Sequence, residues 1–509
     1  MLLHTLLRLF DPNFPLDRIP DLDIGGVCED SRRVQRGDLF IARSGTRTDG
    51  RRFIADAAAR GAVAVVVERR LEDCPLPHIV VPDAARAVSV LANIFHGQPS
   101  HALAVLGVTG TNGKTTTAYL VRHLLASAAR RCGMIGTVQI DDGVQSCEAE
   151  MTTPGAVDIA RLLATMRQSG CAACAMEVSS HALDQHRVSG VRFAAAAFTN
   201  LSGDHLDYHK TMENYAAAKA RLFAALEPSA VAVVNAHDPA SQRMLRDCRA
   251  RTVSFAIDEP ADYRAADVEV TADGSRFTIH MPRGSAPVRM RFIGRHNILN
   301  ALAAAALVAE TFGLTAEHIA QALAEAVSAP GRLQPVRCGQ PFAVFVDYAH
   351  TDDGLENVLK ALRPLTRQKL RVVFGCGGDR DRGKRPRMAA VAERLADVLY
   401  LTSDNPRTED PHRILDEIVA GLSADVELAG AARPLGAASR TDRPRKCAFV
   451  EPDRRRAIER ALMDATEGDV VLLAGKGHEN YQIIGTQKHH FDDVEEATRV
   501  LLAGRTVAA

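Results

Sequence analysis

The sequence predicts an α/β protein of three domains, the central one organised around a parallel sheet with a phosphate-binding loop. Three observations predict it. The chain has 509 residues, and at roughly 100 to 200 residues per domain this length divides into about three. Short apolar runs of strand length alternate with helical stretches from end to end, the pattern of α/β layers. A glycine-rich turn at 110–113 joins an apolar strand to a helix, where such sheets bind phosphate.

Apolar residues at 46% and charged residues at 24% supply packed cores and argue against wholesale disorder. The formal net charge is zero, so neither nucleic acid nor an anionic membrane is expected as a main partner. The opening MLLHTLLRLFDPNFPLD is apolar for only a few residues before Asp11, Pro12 and Pro15 and carries no cleavage pattern, so no membrane insertion and a cytoplasmic location are expected. The ten cysteines form no evenly spaced framework, which fits reduced thiols. Cys171 and Cys174 make a C-x-x-C, but they open the apolar run CAACAMEV and are expected to act as small hydrophobes entering a strand.

The first domain, 1–98, has strand-like runs at 38–42, 62–68 and 79–81 and a helical stretch at 83–95. His96-Gly97-Gln98-Pro99-Ser100 reads as a linker. The second domain, 101–329, has strands at 103–108, 172–178, 194–198 and 230–234 alternating with helices, and a parallel sheet is expected. Alternating runs at 268–292 look antiparallel and, with an Ala-rich helix at 297–312, form an appendage on that sheet. The third domain, 330–509, has buried-strand candidates at 342–346, 370–374, 398–402 and 470–474 spaced by helical segments, a third α/β unit of Rossmann-like character. Residues 423–445, rich in Ala, Arg, Gly and Pro, read as a mobile insertion.

Gly110-Thr111-Asn112-Gly113-Lys114-Thr115-Thr116 stands between strand and helix, where free backbone N–H groups and the helix dipole hold phosphate. Lys114 suits the β/γ-phosphates and the Thr115 hydroxyl suits Mg²⁺, so ATP or GTP is expected here. The spacing departs from the general G-x-x-x-x-G-K-S/T, since Val108 stands where its first glycine would be. Glu177 in 176–181 and His205 in 200–209 fall just past strand ends of the same sheet and face the phosphates. A transferring phosphoryl group needs metal bridging, which a carboxylate and an imidazole beside Thr115 can support.

The run 107–116, GVTGTNGKTT, resembles the signature of Mur ligases and the related folylpolyglutamate synthetases. The resemblance implies a carboxylate activated as an acyl phosphate by ATP and then attacked by an amine. It implies Mg²⁺ ligation by Thr115, Glu177 and His205. Lys219 lies in an ordinary helical pattern, but its match to Y-x-x-A-K implies a carbamylated lysine holding a second Mg²⁺. Gly294 to Asn300 resembles G-x-x-N-x-x-N, placing Asn297 on the adenine side, while helix capping by Asn297 is the other reading. Arg332 and the strand end Asp347-Tyr348-Ala349-His350 are implied to close over the nucleotide, with Asp352 standing where proline is expected.

In the first domain, Asp30-Ser31-Arg32 and Gly37-Asp38-Leu39-Phe40-Ile41-Ala42 resemble the motifs with which precursor-binding Mur domains begin. The resemblance implies a UDP-precursor-binding domain, with Ser31 and residues 46–48 near the uridine nucleotide, ahead of the central ATP-binding domain. Thr152, Thr153, Ser179, Gln185 and Arg187 match positions that bind the muramoyl-peptide acceptor. Asp404-Asn405-Pro406-Arg407 resembles the turn of the diaminopimelate-adding members, in which an arginine fork pairs with a distal carboxylate that lysine lacks. Arg380, Gly475 and Glu479 match the remaining amino-acid contacts, Glu479 receiving an ammonium group. The implied substrates are UDP-N-acetylmuramoyl-L-alanyl-D-glutamate, meso-diaminopimelate and ATP, and a monomer is expected. A lysine-adding member, a small-metabolite phosphotransferase and a non-catalytic nucleotide switch stand as the alternatives.

Overall fold

The computed structural model describes residues 1–43, 48–271, 273–429 and 446–508. Of 46–48, only Thr48 lies among them, and 430–445 of the expected insertion lies outside.

In the first domain, Gly26–Cys28, Asp38–Ile41, Ala64–Val67 and His78–Val80 pair in that order, all parallel. Helices Leu3–Phe10 and Ala84–Phe95 cover one face, burying Leu3, Leu6, Leu7, Val88 and Leu91. The helix Leu3–Phe10 and the strand Gly26–Cys28 add to the expected elements.

The central sheet is larger than the alternation alone predicts. Seven parallel strands run in the order Tyr263–Thr271, Arg251–Ile257, Val231–Asn235, Phe193–Phe198, Ala104–Thr109, Ala173–Glu177 and Cys132–Ile135. Gly274–Met281 and Gly284–Met290 extend one edge antiparallel, so the expected appendage continues the sheet itself. A hairpin of Gln139–Asp141 and Ser146–Glu148 extends the other edge. Helices Lys114–Ser127 and Arg295–Phe312 share a core on one face. Residues Ala303 to Ala306 are wholly buried, and their small side chains let the helix lie close against neighbouring elements. Cys171 and Cys174 pack in the apolar layer of the opposite face.

The third sheet has the order Gln334–Pro335, Ala343–Asp347, Val470–Ala474, Leu370–Phe374, Val398–Leu401, Cys447–Val450 and Glu427–Ala429. All neighbours after the first pair are parallel. The insertion reading is corrected at its start: Glu427–Ala429 pairs with Cys447–Val450 as an edge strand. Three residues ahead of an Ala/Arg/Gly/Pro-rich run carry too little periodicity to declare a strand. The strand latest in this sheet's sequence, Val470–Ala474, inserts between the first two long ones, and this crossover gathers the loops after residues 347, 374, 401 and 474 at one end of the sheet.

Candidate active site

Where the central and third domains meet, a cleft of about 430 Å³ is lined by Thr111 to Thr116, Glu177, His205, Asn297 and Arg332. Two glycines shape its floor. Gly110 has φ +153°, and a Cβ there would lie 1.9 Å from Thr199 Oγ1; one on Gly113, at φ +86°, would lie 2.3 Å from Asn300 Oδ1. Asn300 Nδ2 donates to Asn297 Oδ1 at 3.2 Å and Asn297 Nδ2 to the Ile293 carbonyl at 2.9 Å. Asn297 thus braces the turn before its helix from the third helical position, the N-cap being Gly294. Lys114 folds back on its own loop, donating to the carbonyls of Gly110 at 2.9 Å and Thr111 at 2.8 Å, and burial lowers its pKa.

Glu177 ends its strand with no exposed surface. Its Oε2 accepts from Thr115 Oγ1 at 3.0 Å and Thr137 Oγ1 at 2.9 Å, and its Oε1 from the Thr137 amide at 2.8 Å. Thr115 Oγ1 also accepts from Arg332 of the third domain at 3.1 Å. His205 sits at φ +55° beside Asp204, with Nε2 3.4 Å from Oδ2; its partial desolvation in the cleft lowers its pKa, against the pull of Asp204, while 43% of its side chain stays exposed. Lys219 is wholly buried in helix Met212–Ala224, and burial with the nearby charge of Lys114 holds its pKa well below the usual lysine value. Its Nζ lies 4.4 Å from the Tyr215 ring centroid and donates to the Gly110 carbonyl at 2.8 Å.

The acceptor candidates converge as well. Thr153 Oγ1 donates to the Glu177 carbonyl at 2.8 Å and accepts from the Ser179 amide at 3.0 Å, and Thr152 reaches Thr137 Oγ1 at 3.1 Å. Arg187 donates to the Thr153 carbonyl at 2.8 Å and to Gln185 Oε1 at 2.7 Å. The first domain meets this group: Arg33 pairs with Asp158 at 3.0 Å, and a Cβ on Gly155 would lie 3.1 Å from Glu29 Oε1. Ser31 is buried at the start of the short helix Ser31–Arg33.

The third cluster lies at the strand ends of the third domain. Asn405 Nδ2 donates to Glu479 Oε2 at 2.8 Å, and Asn405 Oδ1 accepts from the Ile483 amide at 2.9 Å. The Arg407 amide donates to the Ile483 carbonyl at 3.0 Å, so the hairpin of Tyr481–Ile484 and Gln487–His490 backs the Asp404-Asn405-Pro406-Arg407 turn. Arg407, at φ +51°, donates to the Gly378 carbonyl at 2.8 Å. A Cβ on Gly377 would lie 2.8 Å from Arg407 NH1 and 3.8 Å from Arg380 Cγ, so Gly377 makes room for both arginines. A Cβ on Gly475, at φ +112°, would lie 4.0 Å from Asp404 Cγ.

Several contributors escaped the sequence reading. Thr137 follows a short strand and supplies two of the three hydrogen bonds that the Glu177 carboxylate accepts among the described residues. Asp353, in the first turn of helix Asp352–Leu362, accepts from Asn112 at 2.6 Å and Ser202 at 2.8 Å, joining the third domain to the phosphate loop. Asp352, where proline was expected, pairs with Arg387 at 2.9 Å. An acidic residue in a helix's first turn is too common a pattern to single out from sequence.

A phosphate loop walled by a second α/β domain, with an arginine- and carboxylate-bearing turn past it, fits the class of ATP-dependent ligases, and the chain belongs to the Mur ligase family. Residues 108–308 match the Mur ligase middle domain, 331–477 the Mur ligase glutamate ligase domain and 23–96 the Mur ligase family catalytic domain. Among curated relatives, it is 45% identical over 97% of its length, and 98% of the other chain, to UDP-N-acetylmuramoyl-L-alanyl-D-glutamate--2,6-diaminopimelate ligase of Geobacillus kaustophilus. The protein of that name from Gloeobacter violaceus is 44% identical over 99% of both chains. A solved ligase of the same name superposes with a TM-score of 0.66 at 35% identity, covering 95% of each chain. MurF from Acinetobacter baumannii, at 20% identity, shares the fold with a TM-score of 0.63 over 98% of this chain and 97% of its own.

Proposed function

We propose that this enzyme adds meso-2,6-diaminopimelate to UDP-N-acetylmuramoyl-L-alanyl-D-glutamate at the expense of ATP, supplying a peptidoglycan precursor. The observation that carries this reading is the third-domain turn, where Arg407 and Glu479, gathered by Asn405 and Gly377, offer a fork for a carboxylate and a carboxylate for an ammonium group. Names and near-full-length similarity of the relatives support the same substrates.

The chemistry runs in two displacements. A γ-carboxylate oxygen of the D-glutamyl residue attacks the γ-phosphorus of ATP, the bond to the β-bridging oxygen breaks, and ADP leaves with that electron pair. The deprotonated amine then adds to the acyl carbon, the tetrahedral intermediate expels phosphate, and the amine's surplus proton leaves with it. Lys114 and Thr111 to Thr116 hold the phosphates, with Gly110 shaping the turn; Asn297 and Arg332 wall the nucleotide. Thr152, Thr153, Ser179, Gln185 and Arg187 hold the dipeptide, Ser31 the nucleotide end of the precursor. Asp404 to Arg407, with Arg380, Gly475 and Glu479, hold the amino acid.

Mg²⁺ belongs to the proposal. Among the described residues no group of three His, Cys, Asp or Glu side chains forms a cage. Thr115 and Glu177 instead put two hard oxygen donors 3.0 Å apart at the phosphate loop, the partial set a Mg²⁺ ion completes with phosphate oxygens and water. The ion would neutralise charge on the transferring phosphoryl group. His205 offers a neutral nitrogen beside it, and the neutral amine of Lys219 is the form that takes up CO₂ to become a carbamate, an oxygen donor for a second ion. Domains at 1–98, 101–329 and 330–509, a monomeric state and a cytoplasmic location complete the reading; no described helix is long and apolar enough to cross a membrane.

The test is phosphate release from ATP with the UDP-muramoyl dipeptide, comparing meso-diaminopimelate, L-lysine and no amine in wild type and Arg407→Ala. Release that needs diaminopimelate and is lost in the variant is expected. Equal rates with lysine would overturn the specificity, and release indifferent to any amine would overturn the ligase reading.

A further inference from the structure

Lys476 lies between Gly475, at φ +112°, and Gly477, at φ +54°, and has no exposed surface. A Cβ on Gly477 would lie 2.6 Å from Tyr348 Cβ and 2.8 Å from the Gly331 carbonyl, so the turn is pressed against its neighbours and Lys476 is turned inward. Its Nζ stands 3.5 Å from Glu479 Oε2, 3.7 Å from Asp404 Oδ1 and 3.5 Å from Asn405 Oδ1. These separations exceed the roughly 2.7–2.9 Å of a charge-assisted hydrogen bond, so the ammonium is shared among three acceptors and closes on none. Asp404 Oδ1 is buried and without a hydrogen-bond partner, although buried carboxylate oxygens are nearly always satisfied. Two carboxylates and one ammonium leave the cluster one positive charge short.

We infer that Lys476 is a positioning residue of the amino-acid site: it sits between the Asp404 and Glu479 carboxylates and holds them in place, so that together they receive one ammonium group of the incoming amino acid. This rests on the third-domain turn being the amino-acid site. Burial and the Asp404 charge push the Glu479 carboxyl upward, and Lys476 opposes them. The other groups facing the cluster are the Tyr348 hydroxyl, which donates to Glu479 Oε1 at 3.5 Å, the His478 ring, which packs on Tyr348 and feels the Lys476 charge, the Tyr481 ring 5.7 Å from Nζ, Arg407 near Tyr481, and the buried Arg454–Asp493 pair. None of these replaces a cation between the two carboxylates.

Without Lys476 the two carboxylates share a site and one keeps its proton to higher pH. Lys476→Met should therefore raise KM for diaminopimelate about tenfold or more while KM for ATP stays within about twofold, a loss of about one hydrogen-bonded charge. The acid-side rise of that KM should move to higher pH, and Lys476→Arg should restore both. The double variant Lys476→Met/Asp404→Asn leaves Glu479 alone, and its acid limb should return to the wild-type position, which keeps the test open if the single variant fails to fold. An unchanged KM and acid limb in Lys476→Met, an Arg variant as impaired as Met, or a double variant whose limb stays shifted would each overturn the inference. Wild-type turnover indifferent to diaminopimelate would overturn the underlying reading instead.

Discussion

Lys114 and Lys219 donate to the same acceptor, the Gly110 carbonyl oxygen, at 2.9 and 2.8 Å. Two ammonium groups on one buried carbonyl would repel strongly, and Lys219, wholly buried and beside Lys114, is the one whose pKa falls furthest. Its amine therefore gives up its proton more readily than a surface lysine does, which favours the nucleophilic form. Addition of CO₂ forms the N–C bond, releases one proton and turns repulsion from Lys114 into attraction. With ¹³C-bicarbonate the wild type should show a carbamate resonance that Lys219→Arg lacks, because a guanidinium does not give up its proton. The kcat of that variant should fall about a hundredfold or more, the scale of a lost charge contact in the transition state. A full-strength carbamate signal in the variant would place the modification elsewhere.

Thr137 is the residue on which the orientation of Glu177 depends most. It donates twice to that carboxylate, and a Cβ on the preceding Gly136 would lie 2.5 Å from Glu177 Oε1. Thr137→Val keeps the shape and the backbone donor and removes the hydroxyl. The Mg²⁺ concentration for half-maximal rate should rise about tenfold, as it does when a group orienting a metal ligand is lost, with a small change in thermal stability.

Asp353 joins the third domain to the nucleotide loop through Asn112 and Ser202, and burial raises its pKa. Asp353→Ala should raise KM for ATP about tenfold, near the 1.5 to 3 kcal/mol of hydrogen bonds to a charged group once competing water is allowed for. KM for the amino acid should change much less. Combining it with Ser202→Ala should give less than the product of the two single effects, since both remove the same contact.

How much of this was legible follows from where each residue sits. Glu177 ends a strand that alternation reveals, and Thr115 and His205 follow the loops after two others, so their place around one cleft is legible in the sequence. Lys219 is different: its helix has the pattern of a solvated face, and only the fold shows the ammonium position sealed behind Tyr215 and the phosphate loop. Cys132–Ile135 and its following hairpin were missed because Cys-Gly-Met-Ile is short and interrupted by glycine, which weakens a strand signal. Thr137 went unseen with that strand. Asp353 and Lys476 act across distances of 241 and 71 residues, which no local pattern encodes.

Gly377 separates the two arginines of the amino-acid site, and its missing side chain is the space they occupy. Gly377→Ala places a methyl group 2.8 Å from Arg407 NH1, a contact the guanidinium must yield to. KM for diaminopimelate should rise several-fold to about tenfold, within the roughly 1–3 kcal/mol of an overpacked site, and KM for ATP should not follow. An equal rise in both constants would mean that the methyl disturbs the domain as a whole.

Stability should fall as the solution is acidified, with an identifiable histidine share. Burial takes the pKa of His296 from the ordinary 6.5 down to about 4. The sign follows from proton counts: between pH 4 and pH 6.5 the unfolded chain holds a proton on this ring and the folded chain does not. Unfolding therefore takes up a proton, stability rises with pH across this window, and it is lost as pH falls through it. The full difference for one such ring is about 3 kcal/mol. His296 sits in the first turn of helix Arg295–Phe312, whose positive end also disfavours a charged imidazole. In His296→Gln, urea unfolding measured from pH 7 to pH 4.5 should show a shallower loss of stability than the wild type, and identical slopes would mean that other groups, the buried carboxylates among them, carry the whole acid dependence.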